Sequence, residues 1–237
     1  MRVVRTASRE EAMRKAIQEL NARLREVRGM PALFMVSGGS ALELLEGIHM
    51  RNIGKHITLC VLDERYSTDS TVHNFSQIAQ TQFYKKAEKK GIDSIDTRAH
   101  RGITFNGLAN KFERGLKRWR KKYPKGKIII TQGIGQDGHT AGIMPYPENS
   151  KKFQTLFEDK NRWTIGYNAT RRKTKYPLRI TVNLPFLRNQ VDSSVVYVAG
   201  SKKRKAMRKI LAKTGTLAET PARIIHEMND VTLFTDI

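Results

Sequence analysis

Short apolar runs alternate with longer stretches of helical periodicity along the whole chain. Residues 2–5, carrying Val3 and Val4, read as a short strand. The amphipathic stretch 9–28 reads as a helix opened by Ser8, with Glu11 three residues on completing a capping-box pattern. Residues 31–36, 56–62 and 127–131 are apolar or β-branched at almost every position, which suits strands covered on both faces, as in a parallel sheet. A short helix is expected over 41–48, a longer one over 72–90 and another over 107–122, the last two apolar on one side and lysine-rich on the other. Further strands are predicted at 163–167, 178–184, 195–199 and 231–234, with a basic helix after residues 200–203. Without repeats or a low-complexity linker, this alternation predicts a single α/β domain over 1–237. Its sheet is expected to be doubly wound, mostly parallel and Rossmann-like, with helices on both faces.

Ligands of such sheets bind beyond the carboxyl ends of the strands, which directs attention to three turns. After the strand at 127–131, Gly133, Gly135 and Gly138 permit positive φ and close approach of a ligand, while Asp137 and His139 bring a carboxylate and an imidazole within two residues of each other. That turn is the candidate active site. Residues 133–138 also satisfy the G-x-G-x-x-G spacing of dinucleotide sites, but Pro145 and Pro147 would end any following helix within about two turns. Glu158 and Asp159, near the distance of a ribose ligand, lie in a stretch without strand pattern, which argues against a dinucleotide. Ser37, Gly38, Gly39 and Ser40 link the second strand to a helix, an arrangement of backbone N–H groups and hydroxyls suited to an anion; the alternative is that Ser40 only caps the helix. Asp63, Glu64 and Arg65 close the third strand and are expected to face the same crevice.

Charge adds a constraint on the partner. Against 22 Asp and Glu stand 44 Lys and Arg, a net charge of +22 that attracts phosphates of any kind. Basic clusters fall at 117–127, with Trp119 and Tyr123 interleaved, at 171–175 and at 202–209. None forms a recognisable nucleic-acid-binding motif, solvated helix faces account for them more simply, and a small phosphorylated substrate needs only two or three such cations. No apolar run has transmembrane length and residues 1–8 lack the apolar core of a secretory signal, so a cytoplasmic protein without a membrane partner is expected. The single cysteine, Cys60, reads as a small buried side chain, and the six histidines show no clustered ligand spacing, so no metal is expected.

Taken together, the Ser-Gly-Gly-Ser turn, the Asp-Glu-Arg triplet after Leu62, and the segment from Gly133 through Ala141 to Pro145 resemble, in order and spacing, the sugar-phosphate isomerase and lactonase superfamily. Within it the chain is similar to 6-phosphogluconolactonases, a resemblance that continues through residues 178–181, 198–203 and 220–223 and so covers nearly the whole chain. The glucosamine-6-phosphate deaminase branch shares the Asp-Gly-His turn but typically carries Tyr where Arg65 stands and a Glu shortly after the His, which residues 140–145 lack. Deamination with isomerisation needs several proton transfers, hence several carboxylates, whereas lactone hydrolysis needs one activated water and a means of stabilising an oxyanion.

The resemblance implies hydrolysis of a small phosphorylated sugar lactone without an organic cofactor, with His139 as general base toward water and Asp137 positioning the imidazole or the water. Arg65 would stabilise negative charge or bind the sugar phosphate, oriented by Asp63. The phosphate would rest on residues 37–40, with Arg179 and Lys203 as further cations; Lys202 and Lys205 lie nearby, but spacing from Gly200 favours Lys203. Gly142, Ile143 and Met144 replace the usual Ser-Leu-Phe, and His73 stands where Ser is usual before Asn74. The alternatives are the deaminase and a non-catalytic basic nucleic-acid-binding protein on the same scaffold.

Overall fold

Side-chain alternation along buried strands builds this fold. In a computed structural model describing residues 1–237, the elements run β1 (Arg2–Arg5), α1 (Arg9–Glu26), β2 (Ala32–Val36), β3 (Ile57–Val61), β4 (Asp63–Arg65), α2 (Asn74–Gln80), α3 (Gln82–Lys89), β5 (Asp93–Ser94) and α4 (Phe105–Lys122). There follow β6 (Lys127–Gly133), α5 (Ser150–Phe157), β7 (Thr164–Asn168), β8 (Leu178–Val182), α6 (Leu184–Asn189), β9 (Ser193–Val198), α7 (Arg204–Leu211) and β10 (Val231–Thr235).

Seven strands form a wholly parallel sheet in the order β1-β10-β9-β6-β2-β3-β5. The predicted central strand is indeed the middle one: β6 pairs with β2 on one side and β9 on the other. Because strand side chains alternate, the apolar runs divide between two cores. Leu33, Met35, Ile128 and Ile130 enter one; Ala32, Phe34, Val36 and Ile129 enter the other. The first core is closed by α4, α5, α6 and α7, the second by α1, α2 and α3, so helices cover both faces as expected. Burial of each such Leu, Ile or Phe contributes about 1.5–3 kcal/mol.

The order in which strands are added reverses between β2 and β6. From β2 the chain proceeds to β3 on one side, and from β6 to β9 on the other, leaving a crevice at their carboxyl ends.

A second, three-stranded antiparallel sheet, β4-β8-β7, stands against the first core. The strands predicted near 163–167 and 178–184 therefore exist but belong to this sheet. Two other expectations need correction. The helix expected over 41–48 is a 3-10 helix spanning Gly39–Gly47, with Gly38 and not Ser40 at its N-cap. The helix expected over 72–90 is two helices, because Thr81 leaves the helical conformation and its hydroxyl caps α3 by accepting from the Tyr84 N–H at 3.1 Å. Residues 150–157, which carried no strand signal, form α5. The capping box of α1 holds in shifted form: Ser8 accepts from the Glu11 N–H, while the Glu11 carboxylate reaches back to the Ala7 N–H. No helix is long and apolar enough to cross a membrane.

Candidate active site

The crevice between β2 and β6 is a cleft of about 500 Å³ that gathers the residues given a role from the sequence: Ser37, Gly38, Gly39, Ser40, Asp63, Arg65, Asp137, His139, Arg179 and Lys203 all line it. Lys202 and Lys205 do not.

The turn after β6 opens no helix. It folds back on itself through Gly135 N–H to the His139 carbonyl at 2.9 Å, and closes with a bridge between Thr140 and Ile143. Asp137 Oδ1 accepts from both the His139 backbone N–H at 3.2 Å and the ring Nδ1 at 2.6 Å. Burial alone would raise the Asp137 carboxyl, but the His139 hydrogen bonds and charge outweigh it and hold the group below the ordinary carboxylate range. An ionised Asp137 is acceptor-only, so Nδ1 carries the hydrogen, which in the neutral imidazole leaves the lone pair on Nε2.

Backbone conformation supports this turn from beneath. Ala141 adopts φ of 49° and Gly142 of 71°, left-handed geometry that a side-chain-bearing residue such as Ala141 holds only when its neighbours enforce it. Those neighbours come from the second sheet. The Thr181 hydroxyl donates to the Ala141 carbonyl, and the buried Tyr167 hydroxyl donates to the Gly142 carbonyl at 2.5 Å while accepting from the Met144 N–H at 3.2 Å. A Cβ on Gly142 would lie 2.6 Å from Asp63 Cβ, so glycine is required there for contact as well as for φ. From the parallel sheet, Ser194 donates to Gln132 at 2.7 Å, Gln132 donates to Thr140 at 3.3 Å, and Thr140 donates to the Gly133 carbonyl at 2.9 Å. This buried chain ties the turn to β9. The strand expected to end at residue 131, with Gln132 at the start of the turn, instead runs on to Gly133 and buries Gln132.

The opposite wall is cationic. Arg65 and Arg179 are direct cross-strand partners in β4 and β8. Asp63 was expected to orient Arg65, yet it pairs with Arg179 at 3.3 Å, because β4 turns Asp63 toward the neighbouring strand. Arg65 instead donates to the Val72 carbonyl at 3.0 Å and lies 5.4 Å from the Tyr176 ring centre. Burial, and then the nearby charge of Arg179, weaken the hold of Arg65 on its proton, the mark of two guanidinium groups competing for one carboxylate. Like charges directly opposite across strands are unfavourable unless an anion joins them. Lys203 donates to the Ser40 hydroxyl at 3.3 Å, and burial followed by the charge of Arg9 lowers its proton affinity.

Glu64 does not face the crevice, contrary to expectation. Alternation along β4 sends it to the other side, fully buried, where it accepts from the N–H groups of Arg65, Asn74 and Phe75 and the hydroxyl of Thr97. Burial pushes its carboxyl up to about 7 against the pull of those donors.

Among the lining residues outside the sequence-derived set, two bring a further charge or a contact to Arg179. Lys173 and Thr174 arrive on the loop between β7 and β8; Thr174 accepts from Arg179 at 3.1 Å, and Lys173 bridges the Pro145 carbonyl at 2.5 Å and Glu148 at 2.8 Å. The cluster at 171–175 had pointed only to surface charge. With Lys173 included, the lining carries four cations and two carboxylates, a surplus of two positive charges suited to a phosphate dianion. No cluster of three or more His, Cys, Asp or Glu side chains converges anywhere in the fold.

Residues 7–234 match the family described as glucosamine-6-phosphate isomerases/6-phosphogluconolactonase. Among curated proteins, a probable 6-phosphogluconolactonase of Dictyostelium discoideum is 23% identical over 173 residues, 73% of this chain and 69% of the relative. A 6-phosphogluconolactonase of Nostoc sp. is 25% identical over 180 residues, 73% of this chain and 68% of the relative. Among solved structures, the 6-phosphogluconolactonase of Leishmania guyanensis superposes with a TM-score of 0.72 at 19% identity, covering 99% of this chain and 95% of that one, which establishes the shared fold.

Proposed function

Because the chain belongs to the family of glucosamine-6-phosphate isomerases and 6-phosphogluconolactonases, we propose that it hydrolyses 6-phospho-D-glucono-1,5-lactone to 6-phosphogluconate. The observation that carries this reading is an imidazole anchored through Nδ1 on Asp137, with Nε2 free, in the same cleft as Arg65, Arg179 and Lys203.

In this reading Nε2 of His139 takes a proton from a water molecule as its oxygen attacks the lactone carbonyl carbon. The carbonyl π electrons move onto oxygen, and a guanidinium on the cationic wall stabilises that oxyanion. Collapse of the tetrahedral intermediate breaks the bond to the ring oxygen, which leaves with the proton held by His139. The acid formed then ionises. The phosphate rests on residues 37–40 with Lys203, where backbone N–H groups at the start of a nine-residue 3-10 helix and the Ser hydroxyls supply donors. Only Asp63 and Asp137 bring carboxylates to the cleft, and Asp63 is paired with Arg179, so the site is short of the proton-transfer groups that amino-sugar deamination requires.

The direct test is acid release from freshly prepared lactone, with spontaneous hydrolysis subtracted, run beside ammonia release from glucosamine 6-phosphate. Acceleration of the first and none of the second is expected; the reverse would replace the reading with the deaminase.

A steric prediction follows from the turn. Gly135 has no positive φ, yet a Cβ there would fall on His139 Nδ1 and lie 2.6 Å from Asp137 Oδ1. Gly135→Ala is therefore expected to push the imidazole out of line and reduce kcat by about 10–100-fold, with little change in thermal midpoint, since misplacement near 1 Å suffices for such losses. Steady-state kinetics with a melting curve check it, and an unaltered kcat would show that the imidazole position is not critical.

A further inference from the structure

Hydrolysis of a small lactone leaves most of the +22 charge without a role. The structure gathers a distinct part of it on α4. This 18-residue helix buries Leu108, Ala109, Phe112, Leu116 and Trp119 and turns Lys111, Arg114, Lys117, Arg118, Lys121 and Lys122 to solvent. Its one acid, Glu113, faces inward at 9% exposure, where it pairs with Lys117 at 2.6 Å and Arg162 at 3.1 Å. Lys117 is the only member of the row in an ion pair. Like charges at i,i+3 and i,i+4 repel along a helix, so the row favours an anionic partner.

We propose that the solvent face of α4 binds the phosphate backbone of a nucleic-acid duplex. At 1.5 Å rise per residue the row from Lys111 to Lys122 extends about 16 Å, a length over which one strand, at one phosphate per 3.4 Å of axis, presents about four or five phosphates. The face offers nothing to a membrane core, since the large exposed apolar side chains are Met1 and Met30, both off α4. Nor does it offer a stacking platform to unpaired bases. Trp119 is buried with its indole N–H donating to Thr58 at 3.1 Å, and Tyr123 is half-buried beneath the Lys122 ammonium at 5.0 Å. A regular row of charges without aromatic or apolar contacts selects duplex phosphate and no sequence. The row also stands apart from the cleft. The carboxyl end of α4 leads into the amino end of β6, whereas the cleft lies beyond the carboxyl end of that strand.

The test uses the full chain and fluorescence anisotropy of labelled DNA and RNA duplexes of about 20 base pairs, titrated in about 50–200 mM KCl. Wild type is expected to bind with a log–log salt slope corresponding to about four or five phosphates. Replacing Lys111, Arg114, Arg118 and Lys121 by Gln should weaken binding at least about tenfold and remove most of that slope. A control with equal charge loss on α3, Lys85, Lys86, Lys89 and Lys90 to Gln, should retain the affinity. Both variants should keep lactone hydrolysis and the melting midpoint. Binding of either duplex supports the proposal, and the tighter one identifies the source. Equal loss in both variants, no wild-type binding at the lowest salt, or equally tight binding to polyglutamate or to phosphatidylserine vesicles would overturn it.

Discussion

His139→Ala is expected to lower kcat for the lactone by about 10²-fold or more, with KM within a few-fold of wild type. The magnitude is that of a positioned base removed from an otherwise intact site. Arg65, Arg179, Lys203 and residues 37–40 still line the cleft, so on the proposed roles binding survives while water activation does not. Stability should be nearly unaffected, since the imidazole is 36% exposed and its side-chain partner, Asp137, is more exposed still. Because the lactone opens spontaneously, the measurement is the initial enzymic rate after background subtraction, with a melting curve alongside. An unchanged kcat in a folded variant would remove His139 from the mechanism and transfer the question to the deprotonated carboxylates of the cleft.

Glu64→Ala should be the most destabilising single change in the neighbourhood of the site, costing about 3–5 kcal/mol. Its carboxylate is the common acceptor for three backbone N–H groups and the Thr97 hydroxyl at a position of zero exposure, so truncation strands several donors where water does not reach. Urea unfolding measures the effect, and a loss below about 1 kcal/mol would mean that the donors find other partners. The same group predicts a pH dependence. Its folded-state carboxyl titrates near 7, above the ordinary value of 4.5. The stability it contributes is therefore full below about 4.5 and is lost as pH rises through about 7, because the folded state binds the proton more tightly than the unfolded chain. The difference in stability between wild type and Glu64→Gln should accordingly be larger at pH 5 than at pH 8.

The strands buried on both faces were legible because nothing but a parallel sheet covered by helices accommodates runs such as residues 32–36 and 128–131. The turns at their carboxyl ends were legible for the same reason, and Asp137, His139 and residues 37–40 lie where that logic put them. The second sheet was not, since β4 has three residues, all charged, and gains its order only from pairing with β8. Glu64 shows the cost of reading a triplet as a unit: a period of two already separates it from Asp63 and Arg65. Pairing of Asp63 with Arg179, 116 residues away, has no local signature at all. The break at Thr81 is a local competition, in which a hydroxyl that can cap the following helix defeats apolar periodicity extending across it.

The edge of the sheet carries a consequence for how this chain is made. β1 has a single neighbour, β10, and the register places Arg2 beside Thr232. During synthesis the first strand thus emerges long before its partner exists, and the loop to be closed is nearly the entire chain, the slow class of contact for folding. For that interval a short extended segment with open hydrogen-bonding groups waits in a crowded solution. Arg2 and Arg5, exposed at its two ends, supply the charge that keeps such a segment from pairing with a neighbouring chain.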